Sequence, residues 1–436
     1  MKSLGFIRDA FGICAAAALL ASCSTSLGAV PRANAGDATA PLQKLATSRH
    51  NERVLWSFTN RDKIGDGDPT SNLILDNKGA LYGTFTLSTR FENGGGVFKL
   101  TPSGSNYSES MLHGFQGGND GANPAAGLVF DKKGALYSTT AVGGGVGCSF
   151  GCGTVFKLKP SGSGYSESVL YRFAGTPDGA NPHAGLILDD KGALYGTTSG
   201  GGVHGYGTVF ELTPSGSGYS ESILYSFRGG KDGAHPYAGL IFDKKGALYG
   251  TTSGGGYNGS GTLFKLTPSK SGYSKRTLYR FRGGGDGANP YAGLIFGKSG
   301  ALYGTTAGGG NDGFGVVFKL TPLGSSKYAD EILLSFGGRN GAHSYAGLVF
   351  GKKGELYGTT SGGGRFGFGT AFKLTPSGSG YSQRYSESIL HHFNFNNGAS
   401  PEAGLTFGAT GALYGTTSGG GDHGYNGFGT VFELAS

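Results

Sequence analysis

The residues with most to offer chemically sit in a phrase, Asp-Gly-Ala-x-Pro-x-Ala-Gly, that recurs along the chain. Before its proline position stand Asn123, Asn181, His235, Asn289, His343 and Ser400. After it stand Ala125, His183, Tyr237, Tyr291, Tyr345 and Glu402, with Ser344 replacing the proline once. A turn does not dictate side chains at these positions. Aromatic plates beside amide and imidazole donors suit a sugar or a peptide, by stacking and hydrogen bonding. Glu402 is the sole carboxylate of the post-proline series. A glycosidase built on it needs a second carboxyl about 5–10 Å away. The phrase's own Asp120, Asp178, Asp232 and Asp286 read as turn builders. Calcium is the other reading, but aspartates in separate units need not converge.

Little else has the spacing of catalytic machinery. The zinc helix and the phosphate loop are missing from the sequence, and the glycine-rich stretches lack the following helix that a nucleophile elbow or a dinucleotide fingerprint requires. The Gly-Gly-Gly runs follow strands rather than open helices, so they cradle no phosphate. No cofactor and no metal are expected. Asp312, Asp422 and His423 are further singular polar residues, and His204, Tyr206, Tyr257, Phe314, Phe366, Phe368 and Tyr425 decorate nearby loops. The structural alternative for every aromatic here is packing between neighbouring units.

These residues are positioned by repetition. Leu-Tyr-Gly-Thr-Thr and its variants recur at Tyr82, Tyr137, Tyr195, Tyr249, Tyr303, Tyr357 and Tyr414, at steps of 54 to 58 residues. One unit reads as four strands: Ala238–Asp243, Ala247–Thr252, Gly261–Leu266 and Tyr273–Phe281. Gly246 makes the first turn and Pro268 keeps its segment out of a strand interior. Four strands per unit, seven times over, predict an all-β, seven-bladed β-propeller with antiparallel blades. The last unit stops after three strands, at Leu434. Val54, Trp56 and Phe58 match Ile223, Tyr225 and Phe227, so the first strand is expected to complete the last blade and close the ring. Burial is expected for all three, including the lone tryptophan. In this arrangement the residues around the proline ring the channel mouth on the longer-loop face. The opposite face carries lysines at the first turn of most units, from Lys78 to Lys353. They either solubilise those turns or meet acidic head groups.

Glycine supplies 89 and proline 15 of 436 residues, but 37% hydrophobic and 12% aromatic content excludes a disordered chain. The net charge of +8 comes with no aromatic-basic platform, so nucleic acid is not an expected partner. Residues 1–22 are expected to be a signal peptide: Lys2 and Arg8 precede an apolar run, Ala10–Leu20, too short to span a bilayer. Residues 23–50 read as a flexible tether and 51–436 as the propeller. Outside a reducing compartment, Cys148 and Cys152 are expected to form a local disulfide.

Two resemblances add to this. Leu20-Ala21-Ser22-Cys23 resembles the lipobox of bacterial lipoproteins, which implies lipidation of Cys23. Ser24 after it implies an outer-membrane address. The unit, with Gly-Leu-Ile-Phe, Leu-Tyr-Gly-Thr-Thr and Gly-Thr-Val-Phe-Lys-Leu, resembles the GloVer-type tandem repeat of bacterial "choice-of-anchor" surface proteins. It covers residues 51–436, implies export and implies no particular activity. The expectation is a lipid-anchored, extracytoplasmic and monomeric binding or scaffold module, with a glycan or a peptide or protein ligand on its loop face. The alternative is a carbohydrate-active hydrolase or lyase with Glu402 as acid or base. Lipid-mediated membrane attachment is expected in either case.

Overall fold

The computed structural model of the chain describes residues 52–58, 67–86, 94–145, 147–324, 327–378, 384–422 and 427–435. The signal segment 1–22, Cys23, the tether 23–50, His423 and Tyr425 lie outside those residues. The described strands form seven four-stranded antiparallel sheets, the blades of a β-propeller. In each, a two-residue inner strand such as Ile241–Phe242 pairs with a five-residue strand such as Leu248–Thr252, followed by two longer strands. The seventh blade takes Thr406–Phe407, Leu413–Thr417 and Thr430–Leu434 from the end of the chain. Its fourth strand is Glu52–Ser57, with Val54 opposite Phe432 and Trp56 opposite Val431.

The repeated phrase is explained by what each residue touches. The first threonine of Gly-Thr-Thr donates to a carbonyl of the next blade: Thr251 Oγ1 to Ala292 O at 3.2 Å, Thr305 to Ala346 at 2.9 Å, Thr359 to Ala403 at 2.9 Å. Thr416 carries this stitch across the closure, to Ser71 O at 3.2 Å. The second threonine stays in its blade, as in the Thr252–Thr262 hydroxyl pair at 2.8 Å. Satisfying buried hydroxyls this way avoids an unpaired-group cost of about 1–3 kcal/mol each. The glycine before them is a close approach: a Cβ on Gly250 would lie 2.7 Å from the Phe264 ring. Aspartates cap the first turns, with Asp243 Oδ1 accepting from Lys245 N at 2.8 Å and Ala247 N at 2.9 Å.

The core lies between blades rather than in one centre. Phe281 and Phe318 of successive blades meet edge-on at 5.2 Å, and equivalent pairs recur around the ring. The clasp is packed differently from the simple alternation expected of it. Leu55 and Phe58 are buried, while Val54 and Trp56 are only partly covered. The cause is a bulge between Val54 and Trp56 that moves Leu55 out of register; every other outer strand bulges at the same place, as at Leu224. An extra residue in one strand re-aims the side chains beyond it. Cys148 and Cys152 are joined by a disulfide, with Cα atoms 5.3 Å apart.

Candidate functional site at the channel mouth

The inner strands leave an axial channel with a cavity of about 470 Å³. Its mouth is lined by Thr70, Ala125, His183, Tyr237, Tyr291, Tyr345 and Glu402, one residue from each blade. The aromatic members form a contiguous arc: His183 to Tyr237 at 5.1 Å, Tyr237 to Tyr291 at 5.4 Å, Tyr291 to Tyr345 at 5.3 Å, each pair tilted. Small residues, Thr70 and Ala125, occupy the positions facing the rest of the ring, so open space lies beside the arc. Farther along, glycines such as Gly185 and Gly239 line the channel; a Cβ on Gly239 would sit 3.4 Å from Gly185 O. Asn72 stands where the other blades have that glycine and accepts from Gly404 N at 2.6 Å.

The pre-proline residues point elsewhere. Asn123, Asn181, His235, Asn289, His343 and Ser400 all have φ between 53° and 63°. That left-handed turn is tolerated by asparagine and histidine better than by most residues. It aims their side chains at the preceding blade. Asn181 Nδ2 donates to Ala141 O at 3.0 Å and Asn289 Nδ2 to Ser253 O at 3.0 Å. His235 Nδ1 lies 2.8 Å from Ser199 O, and His343 Nδ1 2.9 Å from Ala307 O. These four are staples between loops, and none of the six pre-proline residues lines the cavity. Asn123 and Ser400 reach the preceding blade through the backbone, donating their N–H to Gly94 O at 2.8 Å and Phe368 O at 2.9 Å.

Two acids are coupled at the mouth, Glu402 in its lining and Asp68 outside it. Burial raises Glu402 above the usual carboxylate range. Burial, and then the like charge of Glu402, pushes Asp68 up to about 7. Burial lowers His183 to about 4, so it is neutral near pH 7. Tyr345 is raised by burial and by Glu402. Sequence reasoning missed Asp68 and Thr70. Asp68-Pro69-Thr70 is the first blade's version of the recurring phrase, disguised because Asp66-Gly67 precede it where Gly-Ala stands elsewhere. The visible signal was an x-Pro-x three residues ahead of Leu73, the spacing of Pro124 to Gly127-Leu128.

A family model, the Gloeobacter/Verrucomicrobia repeat, matches residues 68–295 and 183–432. The chain belongs to this repeat family. No curated protein matches it. Among solved structures it is similar to a 6-phosphogluconolactonase candidate from Bacteroides uniformis, at 14% identity and TM-score 0.50, over 77% of this chain and 88% of that one. A second such candidate, from Bacteroides fragilis, aligns at 14% and TM-score 0.48 over 76% and 85%. An oxidoreductase (glucose dehydrogenase) candidate from Thermus thermophilus aligns at 18% and TM-score 0.44 over 73% and 98%. At these identities the likeness is one of fold.

Within the Gloeobacter/Verrucomicrobia repeat, the phrase's aspartate acts as a turn cap. Asp178 accepts from Ala174 N at 2.8 Å and the Tyr171 hydroxyl at 3.1 Å; Asp286 accepts from Arg282 N at 3.0 Å and Tyr279 at 2.9 Å. Asp120 and Asp232 hold Gln116 N and Arg228 N in the same way. Among the described residues, no three His, Cys, Asp or Glu side chains gather as a cation site. Among the loop aromatics Tyr206, Tyr257 and Phe366 are exposed, though Tyr206 meets His235 at 5.9 Å as Phe314 meets His343 at 5.9 Å, and Phe368 packs on Phe395 at 4.9 Å. Lys78, Lys133, Lys191 and Lys245 each follow an aspartate two residues earlier that caps their turn, so the basic face is interleaved with acids.

Proposed function

We propose that this repeat protein is an exported, lipid-anchored binding module that takes its ligand at the loop-face mouth of its channel. The observation that carries this is the arc His183-Tyr237-Tyr291-Tyr345 bordering an open cavity of about 470 Å³. An apolar, concave site with a few convergent polar groups is the usual form of a small-ligand site. Elsewhere in the repeat polar side chains are spent on stitching blades; here Glu402 and the tyrosines face space. Anchoring rests on the lipobox-like Leu20-Ala21-Ser22-Cys23, and a metabolic label with radioactive palmitate, lost on Cys23→Ala, tests it.

The ligand-binding reading is tested by screening the protein on glycan and peptide arrays while assaying the glycans for new reducing ends. Binding without turnover, lost on Tyr237→Ala or Tyr291→Ala, supports it. A second reading, a carbohydrate-active hydrolase or lyase, is favoured by one observation: Asp68 supplies a second carboxyl within the field of Glu402. Turnover abolished by Glu402→Gln would establish that reading instead.

A further inference from the structure

Two series of side chains, one residue per blade, flank the proline position, and each is broken once by an acid: Glu402 lines the channel mouth, and Asp68 lies outside its lining. The pre-proline ring runs Asp68, Asn123, Asn181, His235, Asn289, His343, Ser400; the post-proline ring ends in Glu402. Both breaks fall at the seam between the last blade and the first. At the seam neither acid does what its ring does. Asn181, His235, Asn289 and His343 lie within hydrogen-bonding distance of a carbonyl of the preceding blade, a bond an ionised Asp68 cannot donate. Glu402 offers no ring to the aromatic arc. Among the described residues, neither carboxylate has a hydrogen-bond or ion-pair partner, and no lysine or arginine lines the cavity.

Two half-buried acids without a counter-charge exclude several ligands. An anion is repelled. A neutral sugar gains nothing from the charge of the pair, whereas a cation draws both carboxyls toward their ionised form and is held by it. An inorganic divalent ion needs six or so oxygen ligands, and the tyrosine rings supply none in their faces. The remaining partner is a cation with an apolar surface, which aromatic faces attract through their quadrupole and carboxylates through charge. Resting on the binding reading above, we propose that the mouth takes an organic ammonium group, seated against Tyr237, Tyr291 and Tyr345, with its charge answered by Glu402 in the lining and at longer range by Asp68 outside it.

Isothermal titration of the protein with three probes tests this: choline, the tripeptide Gly-Lys-Gly, and 3,3-dimethylbutan-1-ol, the uncharged carbon analogue of choline. The first two separate a quaternary solute from a lysine side chain. One of them is expected to bind at least roughly tenfold more tightly than the alcohol. Glu402→Gln and Asp68→Asn should each reduce that preference, and Tyr291→Leu, which keeps the apolar bulk, should abolish it while leaving the alcohol unaffected. Equal binding of alcohol and cation overturns the ammonium assignment and leaves a plain apolar pocket. If neither cation binds but a neutral ligand from the array screen does, with Glu402→Gln indifferent, the assignment falls and the binding reading stands. If nothing binds in either experiment, both fall.

Discussion

Trp56, in the first strand of the fold, lies across an antiparallel ladder from Val431, in the last. The ring is therefore closed by backbone hydrogen bonds between the two ends of the propeller, and the clasp's strength rests on what lies beside the tryptophan. Phe58 is 3% exposed and meets Phe98 of the first blade edge-on at 5.2 Å. Phe58→Ala is expected to cost about 3–5 kcal/mol in urea unfolding. Trp56→Tyr is expected to cost under about 1.5 kcal/mol. The indole N–H has no partner among the described residues, and Tyr171, Tyr225 and Tyr279 hold the same place in other blades. A reversed ranking of the two variants would mean that the clasp is held by the tryptophan.

The outer edges of the blade seams should make the protein more stable in mild acid. Burial pushes Glu52, Glu167 and Glu221 up to about 7 each, with Asp120 beside Glu167 and Asp178 beside Glu221 adding like charge. The folded state thus holds these protons more tightly than the unfolded chain does. Their contribution is full below the ordinary glutamate value and is lost as pH rises through about 7. Asp131 and Asp243 act oppositely: burial works against ionisation, but the backbone N–H groups of their turns, a tyrosine or lysine side chain and nearby lysine charge hold them below the aspartate range. Their stabilisation is lost as pH falls through those lowered values. Thermal midpoints should therefore rise by a few degrees from pH 8 to pH 5, on the scale of about 2–4 kcal/mol, and fall again in stronger acid. Glu167→Gln with Glu221→Gln should flatten the upper limb. A midpoint that drops steadily from pH 8 to pH 5 would contradict this.

Lys275 is the exception at the seams. Where other outer strands place Glu167, Glu221 or Glu387, the fourth blade places a lysine, 4% exposed, 2.8 Å from Asp232. Lys275→Met removes a charged hydrogen bond worth about 1.5–3 kcal/mol. Adding Asp232→Asn should then cost less than it does alone, because the two changes break the same pair. Strict additivity in a double-mutant cycle would show that the pair carries no coupling.

The disulfide closes only a short loop, Cys148 to Cys152, four residues apart in sequence. Chain entropy for so short a loop gives about 2 kcal/mol. Replacing both cysteines by alanine should lower stability by no more than that and leave the blade count and the mouth intact. Loss of cooperative unfolding would assign the loop a larger part.

What could be read from sequence followed from repetition. Seven copies of Leu-Tyr-Gly-Thr-Thr fixed the blade count, and the match of Val54-Leu55-Trp56 to Ile223-Leu224-Tyr225 located the clasp. Burial within the clasp was not legible, because strict alternation does not anticipate the bulge at Leu55. The mouth was half legible. The tyrosine arc follows from its register after the proline. The side chains of Asn181 and His235 were misdirected by counting along the chain, since their left-handed φ turns them onto the neighbouring blade. Asp68 was hidden because its blade lacks the usual Gly-Ala, and its proximity to Glu402 exists only once the ring closes.

On the function proposed above, the aromatic mouth, and not the outer loops, receives the ligand. Hydroxyl-radical footprinting of the protein with and without a ligand recovered from the arrays tests this residue by residue. Protection of Tyr237, Tyr291 and Tyr345, with Tyr206, Tyr257 and Phe366 unchanged, is the predicted result. Unchanged oxidation of the three mouth tyrosines, with protection of the outer-loop aromatics, would contradict it.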